Sequence, residues 1–459
     1  MRILHAIHDF LPRHRAGSEI YAFELCRALS SRHDVTVLCA DYDPSQPHGS
    51  VRWRVHDGLP VAEIVNNWAC ASFEDTYRSP LATRRIAQIL RAMQPDVLHV
   101  HNLLNLSFDL PTLARARGVP IAATLHDYTL VCPSGGQRIH RAEEHLCRAI
   151  DPSRCARCFP ESPICDQISF AALARAAGAP GTLHRVATAV SRRFPRVAVR
   201  ARRAARRAAV PVTTAQVEAR LEAARRVFEL VDLFVAPSQS IASEFERLGV
   251  AASKIRVSDY GFAPFDRNGR RPPSRPLRLG YVGSLVWHKG VHLIVDAMRQ
   301  LPADACELKI FGDPAVSPEY AGSLRDRSAG LPVQFMGGFP RDRAADVYAQ
   351  FDVLVVPSLW LENSPLVIHE AFMSGVPVIG ARVGGIPDLM PDGRGGLLFD
   401  RGSPPALAAA LRPLVEEPSR VRALADSIPR VKPLDEDVRA WEAVYADLAG
   451  AAAPAARPR

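Results

Sequence analysis

Two series of alternating strand and helix patterns, joined by one short stretch rich in proline and arginine, constrain this 459-residue chain most. In the first series, Arg2–Ile7, Val35–Ala40, Val97–His101, Ile121–Leu125 and Leu233–Ala236 are predicted buried strands. Ser18–Ser31 carries Ile20, Phe23, Leu25 and Leu29 on a helical pattern, and Arg84–Met93 and Leu110–Arg117 are further predicted helices. In the second series the predicted strands are Leu277–Val282, Glu307–Phe311, Val333–Phe335, Val353–Val356 and Val378–Ala381. Gly290–Met298, Ala344–Gln350 and Pro365–Ser374 are its predicted helices. Such alternation gives a parallel, doubly wound sheet, and two in tandem give two α/β domains facing across a cleft, toward which the strand C-termini point. The expected division is 1–262, a linker 263–276, a second domain 277–430, a final helix within 431–448 and a disordered Ala/Pro-rich tail 449–459. On that helix Val438, Trp441, Val444, Tyr445 and Leu448 share one face.

Within the second series, Glu362 and Glu370 stand with seven residues between them. Pro365 is expected at the first helical position, where its missing N–H has no partner to lose. Glu362 then lies on the loop before the helix, and Glu370 just past the first turn. A helix N-terminus suits a phosphate, and a carboxylate beside it can accept from neighbouring hydroxyls of a ribose or hexose. Phosphate, ribose and sugar together describe a nucleotide sugar. Two glutamates alone would equally fit a solvated helix face; the surrounding frame decides between the readings.

That frame reads Pro365-Leu366, Glu370-Ala371, Gly375-Val376-Pro377-Val378 and Gly384-Gly385-Ile386-Pro387. It resembles the signature of glycosyltransferase family 4, most specifically over residues 278–400 and more weakly over 1–260. The resemblance implies a GT-B fold of two Rossmann-like domains, with the last helix crossing back to the first. It also implies a UDP- or GDP-linked sugar as donor, and transfer with retention of anomeric configuration. Donor-binding positions are then Gly17, Ser284, Lys289, Glu362, Asn363, Ser364, Pro365, Leu366 and Glu370, with Lys289, Glu362 and His126 as catalytic candidates.

Gly283-Ser284-Leu285-Val286-Trp287-His288-Lys289-Gly290 matches the family's Gly-Arg-Leu…Lys-Gly, with Ser284 in the arginine place. One of two phosphate-binding cations is therefore replaced, and Lys289 would carry more of the charge on the departing diphosphate. The loop Pro12–Glu19 stands where the family has Gly-Gly-x-Glu; Ala16 replaces the first glycine, while Gly17 and Glu19 remain. It lacks the Gly-x-Gly-x-x-Gly of dinucleotide-binding enzymes. His126-Asp127 matches the family's strand-end histidine, which could bond the transferring sugar, line the acceptor pocket or hold its loop. His99 and His101 are expected to be structural. No Asp-x-Asp stands in a metal-binding setting, so no cofactor is expected at the reaction centre.

Cys132, Cys147, Cys155 and Cys158 fall in one loop-rich segment, separated by 14, 7 and 2 residues. They could hold a structural zinc, or be unliganded or redox-active thiols. The net charge of +9 has a local source: Gln167–Val217 holds ten arginines and no acid. There, Arg202, Arg203, Arg206 and Arg207 line one expected helix face after an apolar stripe of Val186, Val190, Phe194 and Val197. Such a face could meet an anionic membrane, or simply be solvated in a chain with 53 arginines and 4 lysines. With one patch and a near-neutral remainder, no nucleic-acid partner is expected. There is no run of 18 apolar residues, the N-terminus reads as a strand instead of a signal peptide, and nine cysteines point to a reducing cytosol. The expected protein is cytoplasmic, or peripheral on the inner membrane face, and transfers sugar to a lipid-linked or polysaccharide acceptor. Alternatives are a non-catalytic carbohydrate or nucleic-acid binder, and an epimerase or phosphorylase on the same architecture.

Overall fold

The computed structural model describes residues 1–176, 212–264 and 275–451. They form two compact units, one of 1–138, 147–261 and the chain from Leu434, the other of 139–146 and 262–433. The arginine-rich helix face and its apolar stripe lie outside the described residues, as does most of the expected linker.

In chain order the strands are β1 (Arg2–Ala6), β2 (Asp34–Asp41), β3 (Val51–His56), β4 (Leu59–Val65), β5 (Val97–Val100) and β6 (Ile121–Thr124), followed by the short hairpin β7 (Ile139–His140) and β8 (His145–Leu146). Then come β9 (Leu233–Ala236), β10 (Ile255–Val257), β11 (Leu277–Val282), β12 (Cys306–Phe311), β13 (Val333–Gly337), β14 (Val353–Val356), β15 (Val378–Ala381) and β16 (Gly396–Phe399). The first unit's sheet runs β10-β9-β6-β5-β1-β2-β4-β3 and is parallel except at β3. Its central strands are buried along nearly their whole length, which is why they read as unbroken apolar runs. The edge strand β3 was not predicted, and neither was β4. Asp57 and Gly58 link them with φ of 49° and 83°, the left-handed pair of a tight hairpin. Arg52 and Arg54 on β3 bond Glu63 on β4, so β3 is held by cross-strand charge.

The second sheet, β13-β12-β11-β14-β15-β16, is wholly parallel. Its chain reverses direction of winding between β11 and β14, the kind of switch point at whose C-terminal edge such sheets bind ligands. The hairpin β7–β8 groups with this unit although it falls within the expected first domain.

The last helix, Leu434–Ala451, belongs to the first unit and buries the face read from the sequence. Trp441 Nε1 donates to Tyr21 Oη at 2.9 Å, and Tyr21 donates to Asp437 at 2.8 Å. The helix runs three residues past Leu448, so 449–451 are helical where a disordered tail was expected. The helix begun near Pro365 also differs: Pro365 is its N-cap, extended at ψ 117°, and Leu366–Met373 is the helix itself.

Candidate functional site

At the C-terminal ends of β11 and β14, one carboxylate oxygen gathers the site. Glu362 Oε1 accepts from Lys289 Nζ at 2.7 Å, Ser358 Oγ at 2.6 Å and Trp360 Nε1 at 2.7 Å. Lys289 comes from the turn after β11, while the other three leave β14, so the site joins both sides of the winding reversal. The Lys289 ammonium also lies 5.1 Å from the Trp360 ring centroid. Glu362 is buried, and its backbone is fixed by Gly385, whose N–H donates to Glu362 O at 2.7 Å. Next to it Gly384 sits at φ +55°, and a Cβ there would meet Glu362 O at 2.1 Å. Only glycine permits that approach.

Glu370 lies on the helix Leu366–Met373, five residues in and buried. Its Oε1 accepts from Arg341 Nη1 at 2.9 Å and its Oε2 from the Tyr348 hydroxyl at 2.8 Å. Burial raises its pKa, with Arg341 and Tyr348 pulling the other way. Ser364 Oγ pairs with His369 Nε2 at 2.8 Å, and the His369 ring stacks on Phe262. Asn363, Ser364 and Pro365 are all buried in the turn before that helix, while Leu366 is half-buried at its start. Ser284 is exposed, and its carbonyl accepts from Tyr281 Oη at 2.8 Å. Arg141, from the β7–β8 turn, places its guanidinium 5.8 Å from the Trp287 ring, two residues before Lys289.

The sequence reading missed Arg341, Tyr348, Ser358 and Trp360. Ser358 and Trp360 could have been found as donors flanking Glu362. Arg341 carries no signal in an arginine-rich chain.

In the first unit, Gly17 opens the helix Gly17–Leu29, and Ala16, with no side chain to cap it, takes the N-cap. Glu19 on that helix, with His8 and Asp9 after β1, brings three donor atoms within 4.8 Å of one another. His126 was expected to bond a sugar, line the acceptor pocket or hold its loop. Its Nε2 pairs with His101 Nδ1 at 2.9 Å and its Nδ1 with the Tyr260 hydroxyl at 2.8 Å. His101 Nε2 continues to His5 Nδ1 at 3.0 Å. Both His126 nitrogens are thus spent within the unit, which favours the loop-holding role. Each link needs one donor and one acceptor, so the tautomer of one ring sets the next. Burial pushes His5 and His126 down to about 3, and His99 and His101 well below their ordinary value. His99, expected to be structural, is bonded to Tyr445 and Thr124 in the core. Cys132, Cys147, Cys155 and Cys158 come together in one neighbourhood, and none of them is in a disulfide.

Comparison with known proteins agrees with this picture. Residues 15–159 match the model of Glycosyltransferase Family 4, and 276–417 match that of Glycosyl transferases group 1. The chain belongs to glycosyltransferase family 4. Among similar proteins, the sulfoquinovosyl transferase SQD2 of Arabidopsis thaliana is 31% identical over 209 residues, 42% of this chain and 39% of that protein. The D-inositol 3-phosphate glycosyltransferase of Rhodococcus opacus is 34% identical over 200 residues, 40% and 44% of the two chains. The matched part therefore spans less than half the length of these relatives. Among solved structures, sucrose-phosphate synthase from Thermosynechococcus elongatus gives a TM-score of 0.61 at 19% identity, covering 98% of both chains. Anabaena HepE in complex with UDP and glucose gives 0.60 at 17% identity, covering 97% of this chain and 100% of that one. At that identity the likeness carries the fold, the α/β GT-B class expected from the family frame.

Proposed function

We propose that this family 4 member is a retaining glycosyltransferase that moves a hexosyl group from a UDP- or GDP-linked sugar to a hydroxyl of a glycan or lipid-linked acceptor. The observation that carries the reading is the set of three donors on Glu362 Oε1. They hold the carboxylate in place and leave Oε2 to accept a sugar hydroxyl. With three donors on Oε1 and a sugar hydroxyl on Oε2, neither oxygen is free to attack the anomeric carbon, which favours a front-face displacement over a covalent intermediate. In that step the bond from anomeric carbon to diphosphate oxygen breaks as the acceptor oxygen bonds on the same face. The acceptor proton passes to the departing phosphate.

Lys289 and the N-terminus of the helix Leu366–Met373 supply positive charge for the leaving group, so a divalent metal is not required. Glu370 has one protein donor on each oxygen, and each oxygen keeps a further lone pair for a ribose hydroxyl. Similarity to glycosyltransferases of colanic acid and amylovoran biosynthesis supports a polysaccharide acceptor. None of the nine cysteines is in a disulfide, which supports work in a reducing cytosol. No helix among the described residues is long and apolar enough to cross a membrane.

The test is thermal shift with a panel of UDP- and GDP-hexoses, run with and without EDTA. One donor should raise the melting temperature in both conditions, and the Glu370→Ala variant should lose that response. A panel with no effect on a folded sample would overturn the donor assignment; a response only with divalent metal would overturn the metal-free part.

A further inference from the structure

Away from the donor site, four cysteines and one arginine of the first unit present an unbalanced charge problem. Cys132 closes a turn whose first residue, Tyr128, accepts its N–H at 2.7 Å. Cys147 follows the β7–β8 hairpin, and its N–H donates to Arg138 O at 2.8 Å. Cys155 and Cys158 stand at i and i+3 on the helix Pro152–Cys158, and so on one face. That helix packs on the helix Thr214–Leu230, which carries Arg220. Arg220 in turn donates to Leu130 O at 2.8 Å and to Thr129 O, and so ties down the turn that ends at Cys132.

Arg220 is 4% exposed. Its guanidinium sits over the Phe108 and Tyr77 rings, 5.1 and 5.7 Å from their centroids. No carboxylate among the described residues pairs with it, and the groups bearing on its charge are Cys132, Cys155 and Tyr77. A guanidinium taken out of water without an anion costs several kcal/mol. Neutral thiols do not offset that cost. Four bare thiolates would repel one another at close quarters.

We propose that Cys132, Cys147, Cys155 and Cys158 bind one zinc ion as a tetrathiolate, with Arg220 as its buried counter-cation. Zinc with four thiolates keeps two net negative charges, so a single ion relieves the repulsion among the sulphurs and supplies the anion Arg220 lacks. The Cys-x-x-Cys pair on one helix face is a usual half of such a centre. Zinc holds four sulphurs at about 2.3 Å from one ion, a distance reached by side-chain rotation. Binding thus turns side chains on a backbone already held by Arg220 and Arg138. It replaces four S–H protons, which leave to solvent.

Elemental analysis of full-length protein purified without added zinc should find about one zinc per chain. Cys155→Ser/Cys158→Ser should lose it, while Cys70→Ser should keep it. As the double variant could simply misfold, wild type is also titrated with a mercurial thiol reagent, and zinc release should track modification of these thiols. Full-length wild type that is metal-free yet melts cooperatively, unchanged by chelator or added zinc, would overturn the proposal. So would iron with inorganic sulfide, or a disulfide among the four.

Discussion

Replacing Lys289 with methionine separates a structural ion pair from a catalytic one. The pair is 2.7 Å long, with side chains 27% and 5% exposed, so solvent screens it only in part. At an effective dielectric of about 20, two unit charges at that distance attract by roughly 6 kcal/mol before desolvation is deducted. Ser358 and Trp360 still bond Glu362 in the variant, and methionine fills the apolar stem of lysine. The net loss of stability should be that of one charge-assisted hydrogen bond, about 1.5–3 kcal/mol. For a unit of this size that lowers the melting temperature by roughly 3–12 °C. If Lys289 meets charge on the departing diphosphate, turnover should fall much further than stability, by about 10²–10³-fold. The assay is release of nucleoside diphosphate from the responsive donor, at a temperature where both proteins are fully folded. A variant that melts lower as expected but turns over within about threefold of wild type, against the loss expected of such a donor, would refute the role of Lys289. Glu362→Gln is the companion: it keeps an acceptor for Ser358 and Trp360, removes the charge, and should also lose turnover.

Gly384→Ala should lower the melting temperature of the protein and abolish the donor-induced shift, because its Cβ would lie 2.1 Å from Glu362 O at a backbone angle that disfavours alanine. An unchanged donor response in a folded Gly384→Ala protein would show that this approach does not set the site. Acidification bears on the first unit. His5 and His126 titrate near 3 when folded against about 6.5 when unfolded, so their contribution is whole above about 6.5 and is lost as pH falls toward 3. His101→Gln keeps hydrogen-bonding groups and cannot charge, so its melting temperature should fall less steeply with pH over that window; an identical slope would exclude the ladder as the cause.

The two-sheet architecture was legible because parallel strands buried on both faces are written as unbroken apolar runs. β3 escaped because it breaks that rule: Trp53 and Val55 are 55% and 71% exposed, and arginines alternate with them. β4 is buried at six of its seven positions, but Pro60 and Glu63 interrupt its apolar run. The Asp57-Gly58 turn was the available signal. The histidine ladder could not be read at all. It depends on β1 pairing with β5, which sets His5 beside His99, and on β5 pairing with β6, which carries His126 at its end. Strand order is a property of packing, and nothing in the local residues states it. The family frame located Glu362 and Glu370 but not their partners, since Arg341 and Tyr348 arrive from 29 and 22 residues away.

Those partners divide the two glutamates by role in a way their spacing does not. Glu362 has every donor on one oxygen, so it is oriented and partly neutralised while one edge stays open to a ligand. Glu370 has one donor on each oxygen and is raised in pKa by its burial, so a ligand hydroxyl must share those oxygens with Arg341 and Tyr348. The first arrangement suits a contact that strengthens as charge develops beside Lys289, because nothing need be displaced to make it. The second suits recognition of a fixed group such as ribose, where the cost of sharing is met once, on binding. Loss of Glu362 should therefore fall mainly on kcat, and loss of Glu370 mainly on KM.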